Sequence, residues 1–212
     1  MASEMIHSSG LATSTALSGY YVENFIAPVD VIRALDDKGI RFMLLGAHGL
    51  VGWIGEPRAT QEVDILVPAR SHKKAVQALL ARFPHLYCED HEVVTRLHDR
   101  DTKKVLIDVM KPNQPVTREA LKQCHKVQSG KQAYLVPTLE MALTLKFAAM
   151  ISLTRADAKK YQDAHDFILM VQANPDIDLK KLTELGEHVY PGGGQEIVEK
   201  VRQVRSGEKL EL

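Results

Sequence analysis

Two acidic side chains separated by one residue, and a third acid alone in an apolar run further on, are the residues of this chain best suited to do chemistry. The first two lie in Arg58-Ala59-Thr60-Gln61-Glu62-Val63-Asp64-Ile65-Leu66-Val67, whose part from Glu62 to Val67 reads as a strand. Side chains alternate faces along a strand, so Glu62 and Asp64 share one side while Val63, Ile65 and Val67 share the other and read as core. Two carboxylates on one face repel each other, and burial makes the repulsion worse unless a cation lies between them. The third acid, Asp108, stands in Lys104-Val105-Leu106-Ile107-Asp108-Val109-Met110. If the two strands are neighbours, the three carboxylates converge. A hard, oxygen-seeking ion such as Mg²⁺ suits that set, with phosphate oxygens completing its octahedron. The plainer alternative is a solvated acidic strand face.

These acids need a scaffold, and the surrounding pattern supplies one. Pro28 opens a helix over Val29–Gly39, with apolar residues at helical spacing and glycine at its end. Phe42–Leu45 is a short buried strand stopped by Gly46, and Ala47–Ile54 holds a glycine-rich turn and a short helix. A turn that opens a helix presents backbone N–H groups and favours phosphate. His48, inside that turn, either contacts a phosphate or packs. Ser71 is expected to cap a helix running to Arg82, and Val93–Leu97, Lys104–Met110 and Ala133–Val136 read as further strands. Beyond Pro137 the pattern turns helical: Thr138–Ser152, with Thr138 as N-cap, then Ala156–Val171, Leu179–Val189 and Gln195–Val204. The fold class expected is α/β, a mixed sheet flanked by helices with a helical C-terminal part. The expected divisions are a loose leader over 1–27, an α/β core over 28–136 and a helical part over 137–212.

Composition narrows the function classes. The chain of 212 residues has 27 Lys+Arg against 27 Asp+Glu, 45% hydrophobic and 25% charged residues, which is ordinary globular usage. Zero net charge argues against a protein that coats nucleic acid or an anionic membrane through charge alone. The basic stretch Arg96, Arg100, Lys103 and Lys104 is offset by Asp99 and Asp101 and reads as a solvated turn. Cys88 and Cys124 are too few for a disulfide framework, which fits a reducing, cytoplasmic setting. The longest charge-free apolar stretch, Phe42–Gly55, is too short to span a bilayer. Met1–Tyr20 lacks the basic and apolar regions of a signal peptide. Cys88 and His91 have C-x-x-H spacing without a second pair, so no structural zinc is expected. Pro191-Gly192-Gly193-Gly194 reads as a flexible connection, since no Gly-Lys-Ser/Thr follows.

The order of apolar strand, Gly46-Ala47 with His48-Gly49, short helix, Arg58-x-Thr60-x-Glu62-x-Asp64 and a later lone Asp108 resembles the nucleotidyltransferase superfamily, the DNA polymerase β-like fold. Within it the chain looks closest to the small AbiEii-type branch found in toxin–antitoxin and abortive-infection systems. Val136-Pro137-Thr138-Leu139-Glu140-Met141-Ala142-Leu143-Thr144-Leu145-Lys146 is similar to that branch's helical segment. Arg155 with Asp163-Ala164-His165-Asp166-Phe167 is similar to a second. Two departures stand out: Ala47 replaces the usual Ser or Gly, and Glu62 replaces the usual first Asp.

The resemblance implies an enzyme that transfers NMP from an NTP to an acceptor, either a tRNA, a protein hydroxyl or a small molecule. It implies Mg²⁺ at Glu62, Asp64 and Asp108, and nucleotide contacts from Gly46, Ala47, His48, Arg58, Thr60 and Lys146. It also admits an antitoxin-type partner protein. Lys146 shares a helical stripe with Leu139, Leu143 and Met150, and lysine is rarely buried without a partner. Its ammonium either snorkels to the edge or faces the triphosphate and the departing pyrophosphate. Asp163 and Asp166, three apart on one helix, are either a solvated face or partners of Lys146 and Arg155, with all three of Arg155, Asp163 and Asp166 in supporting roles. The alternative function is a catalytically degenerate member that binds nucleotide or protein, which the Ala47 and Glu62 departures favour.

Overall fold

The computed structural model describes residues 25–54, 60–129 and 132–210. Helix α1 (Pro28–Asp36) starts on proline, whose missing N–H has no partner at a helix start anyway, and buries Val31, Ile32, Ala34 and Leu35. Strand β1 (Met43–Leu44) leads through Gly46 into the short α2 (Gly46–Leu50). Strand β2 (Val63–Leu66) follows, then a 3₁₀ turn (Ala69–Ser71) and α3 (His72–Arg82). Three strands come next: β3 (Leu86–Asp90), β4 (Val94–Asp99) and β5 (Val105–Met110). Helix α4 (Pro115–Ala120) separates them from β6 (Cys124–Ser129) and β7 (Gln132–Pro137). The remainder is helical: α5 (Leu139–Met150), α6 (Asp157–Ala173), α7 (Leu179–Gly186) and α8 (Gly193–Ser206).

The strands form one mixed sheet of order β3-β4-β5-β2-β1-β7-β6. The pairs β2–β5 and β1–β7 are parallel and the other neighbours antiparallel. Val63, Ile65 and Val67 are fully buried on the face covered by α1 and α3, where they join Leu35, Leu79, Leu97, Ile107 and Val109. A second apolar cluster lies among α5–α8, around Phe147, Phe167 and Met170, and takes in Leu50 and Ile54 from the first half. Met43, Leu66, Val116, Ala120, Met141 and Leu185 form a third cluster that ties the sheet to α4, α5 and α7. The α/β class and the mixed sheet flanked by helices are therefore as the sequence led us to expect. Among the described residues no helix is long and apolar enough to cross a membrane.

Three elements had no counterpart in the sequence pattern: β3, α4 and β6. Both strands lie at the sheet's two edges, where one side lacks a neighbour and polar side chains are tolerated, so the alternation that marks a strand is weak. Helix α4 is too short to show helical periodicity; it is set locally by Pro115 and by Gln114, whose N–H donates to Thr117 Oγ1 at 3.2 Å. The caps differ too. Thr138 Oγ1 accepts the N–H of Met141 at 3.3 Å, as expected for an N-cap. Ser71 stands at the N-cap position of α3, but its side chain makes no capping hydrogen bond. The leader expected over 1–27 lies outside the described residues as far as residue 24, and Ile26 is buried.

Removing the α5 cap and its interlayer contact should act on stability separately. Thr138→Ala is expected to cost about 1 kcal/mol. Met141→Ala, which empties a fully buried position between sheet and helices, is expected to cost about 2–5 kcal/mol. Urea denaturation followed by circular dichroism, with unchanged m-value, checks both.

Candidate active site

The site forms where β2 and β5 run side by side. Their parallel register pairs Asp64 with Asp108, so the two carboxylates come from facing positions of adjacent strands. Glu62 precedes β2 and reaches the same face through the two-residue alternation; its backbone N–H donates to Thr60 Oγ1 at 3.3 Å. Carboxylate oxygens of Glu62, Asp64 and Asp108 all lie within 4.8 Å of one another, a group with the composition and spacing to hold a metal ion. Asp108 Oδ1 is buried and has no hydrogen-bond partner, which leaves a lone pair for a cation. The donor set is all oxygen and threefold anionic. A hard divalent ion therefore fits the residues present.

The electrostatics agree with that fit. Burial pushes the Asp64 carboxyl above its ordinary value, and the nearby Glu62 charge adds to the rise. Asp108 is pushed up to about 6, chiefly by burial and then by Asp64, while Arg96 pulls it down. Arg96 pairs with Asp108 across β4 and β5, its Nε 3.8 Å from Asp108 Oδ1. Lys159, from the first turn of α6, brings its Nζ to 3.3 Å from both carboxylate oxygens of Glu62.

The glycine turn abuts these acids. Gly46 has φ +55°, the left-handed region that favours glycine. A Cβ at that position would lie within 2.9 Å of Asp64 Cγ and closer still to Oδ2, so any side chain would displace the carboxylate. The turn is fastened to β2 by the Leu45 N–H, which donates to the Asp64 carbonyl at 2.8 Å. Ala47 is buried and His48 half-buried on α2. The expected nucleotide contact Arg58 lies outside the described residues. Thr60 is half-buried at the entry to β2.

Lys146 sits behind this cluster. Its Nζ is buried 2.7 Å from Asp163 Oδ1 and 2.6 Å from Asp166 Oδ2, and Arg155 Nε meets Asp163 Oδ2 at 2.5 Å. Two cations and two carboxylates thus balance each other between α5 and α6. The Lys146 and Arg155 charges still act on Asp64, favouring its ionised form. The acidic triad, the glycine turn and this network all meet at one place. The glycine-rich segment before α8 serves elsewhere: the Glu187 carboxylate accepts the N–H groups of Gly192 (3.0 Å) and Gly194 (3.1 Å). The chain supplies its own anion there.

Sequence reasoning missed Lys159 and Arg96 as parts of the site. Arg96 was legible as a basic residue of the β4–β5 hairpin, but its register with Asp108 was not. Lys159 carries no motif at all; only the approach of α6 to β2 joins it to Glu62.

No protein-family model matches the chain, and no curated protein is significantly similar to it. Solved structures do match. One is an antigenic nucleotidyltransferase-like protein from Paracoccidioides brasiliensis: 18% identity, TM-score 0.50, covering 87% of this chain and 93% of that one. Another is the antibiotic-resistance factor ANT(2'')-Ia: 10% identity, TM-score 0.53, covering 85% of this chain and 95% of that one. At such identities the likeness establishes the fold, which is nucleotidyltransferase-like.

The raised carboxyls set a pH dependence. A carboxyl whose folded pKa exceeds its unfolded one stabilises the fold below the unfolded pKa, and that contribution is lost as pH rises through the folded value. For Asp108 the window runs from about 4 to about 6. Without divalent ions, Asp108→Asn should therefore stabilise the protein by about 1–3 kcal/mol at pH 8. The gain should vanish near pH 4, where the wild-type carboxyl is itself protonated. Urea denaturation at the two pH values is the check.

Proposed function

We propose that this protein is a Mg²⁺-dependent nucleotidyltransferase, moving NMP from an NTP to a hydroxyl of an acceptor. The observation that carries the reading is the convergence of Glu62, Asp64 and Asp108 beside Gly46, on a fold of the nucleotidyltransferase kind. Glu62, Asp64 and Asp108 would hold the ion. When bound, it neutralises the triphosphate and the charge that develops at the α-phosphorus.

The chain's own residues then have distinct tasks. Gly46 leaves room for Asp64 beside the backbone, and a turn that opens a helix favours a phosphate. Asp108 accepts the proton of the attacking hydroxyl as general base. The acceptor oxygen bonds to the α-phosphorus as the bond to pyrophosphate breaks. Arg96 keeps Asp108 oriented and ionised. Lys146 and Arg155, clamped by Asp163 and Asp166, fix α5 against α6 beside the site and favour the ionised form of Asp64. Ala47, His48, Arg58 and Thr60 supply the remaining proposed nucleotide contacts. The Arg58-x-Thr60-x-Glu62-x-Asp64 and Lys146 segments support assignment of the chain to the AbiEii-type branch. A tRNA or a protein hydroxyl is the acceptor that this branch suggests, with an antitoxin-type protein as partner.

Thermal unfolding with each of the four NTPs, with and without Mg²⁺, tests the reading. Ligand at a hundred times its dissociation constant adds about 2.7 kcal/mol, a shift of several degrees. The expected result is a Mg²⁺-dependent rise with at least one NTP that Asp64→Asn abolishes, together with loss of label transfer from that α-³²P NTP. A Mg²⁺-dependent rise without transfer to any RNA, protein or small-molecule acceptor would favour the degenerate, binding-only reading. No rise with any nucleotide would overturn both.

A further inference from the structure

Lys159 stands outside every motif, yet among the described residues it is the cation that faces the triad most openly. It lies on the first turn of α6 and spans 97 residues of sequence to reach Glu62, with Nζ 3.3 Å from Oε1 and from Oε2. Its side chain is 56% exposed, and its charge acts also on Asp64 and Asp108, favouring their ionised forms. Lys146 contrasts with it in every respect: 10% exposed, and held by two aspartates that are themselves buried. Lys146 cannot leave its partners without stranding buried charges, a costly step. Lys159 can, because Glu62 is partly exposed and the lysine stem is flexible and ends in solvent.

The Glu62 oxygens cannot serve an ammonium and a divalent ion at full strength together. Coulomb attraction scales with charge, so a dication at the triad wins Glu62 from a single ammonium. The freed ammonium remains on α6 at the mouth of the site. Anionic phosphate oxygens would arrive there with the nucleotide, and a lysine binds them well as a point charge. We propose that Lys159 is a triphosphate-binding residue that also serves as the triad's resident counter-ion. It holds Glu62 while no divalent ion is present, releases it when one binds, and then pairs with a phosphate oxygen of the NTP. This inference rests on the nucleotidyltransferase reading above.

Mn²⁺ alone is the probe for the first half, with free ion measured by electron paramagnetic resonance. Lys159→Met should bind Mn²⁺ about tenfold more tightly than wild type, equivalent to about 1.4 kcal/mol. With Mn²⁺ saturating, the same variant should bind a non-hydrolysable NTP analogue about tenfold more weakly, and Lys159→Arg should recover most of that loss. A merely structural lysine would move both affinities the same way. Acetic anhydride labelling read by mass spectrometry tests displacement directly: Lys159 should acetylate several-fold faster when Mn²⁺ is added to wild type, and should not respond in Asp64→Asn. Equal Mn²⁺ affinity in Lys159→Met, or labelling of Lys159 indifferent to Mn²⁺, overturns the proposal while leaving the triad intact. Wild type that binds no Mn²⁺, or Asp64→Asn that binds it as well as wild type, overturns the triad and the Lys159 proposal together.

Discussion

Parallel pairing of β2 with β5 sets Asp64 against Asp108, and strand alternation adds Glu62, so three negative charges occupy one small volume. Nothing in the hydrophobic core requires this. The buried face of the same strands, with Val63, Ile65, Ile107 and Val109, would be equally content with neutral residues on the opposite side. The arrangement costs stability, as the upward shift of Asp64 and Asp108 records, and much of the surrounding architecture can be understood as a response to it. Gly46 gives up its side chain so that Asp64 keeps its place. Arg96 approaches Asp108 from the sheet and Lys159 approaches Glu62 from a helix.

The helical half contributes what the sheet cannot. Its cations come in two kinds, separated by burial. Lys146 and Arg155 are bound into a compact group with Asp163 and Asp166, which fixes α5 against α6 and leaves little net charge to spare. Such a group adds directional constraint more than raw stability, since desolvation offsets much of the attraction. Fixing α6 in turn fixes the azimuth of its first turn, and hence where Lys159 stands relative to Glu62. The third apolar cluster, with Met43, Leu66 and Met141, holds the two halves in the relation that makes this contact possible.

The elements that were legible are those whose own residues bury a face. Helix α1 carries apolar residues at helical spacing and β2 alternates Val63 and Ile65 with its acids, whereas α5 and β5 are legible as apolar runs, and Thr138 announces α5 through a side-chain cap. Strands β3 and β6 are different because an edge strand owes its form to one neighbour's hydrogen bonds: Leu86–Asp90 exists as a strand through β4, and Cys124–Ser129 through β7. Those bonds leave no mark on composition. Helix α4 spans six residues, less than two turns, too few to repeat a pattern.

By itself, then, the sequence determined the α/β class, the acidic face of β2, the isolation of Asp108 in an apolar strand and the glycine turn that ends β1 at Gly46. All of these follow from alternation, from local sterics and from the rarity of a lone charge in an apolar run. The tertiary structure alone decided that β5 lies beside β2, on the side away from β1, in a register pairing Asp64 with Asp108. It alone decided that Lys146 spends its charge on Asp163 and Asp166, and that Lys159 meets Glu62. Strand order, register and helix azimuth are set by how distant faces pack, and a residue's neighbours along the chain carry no record of its neighbours across it.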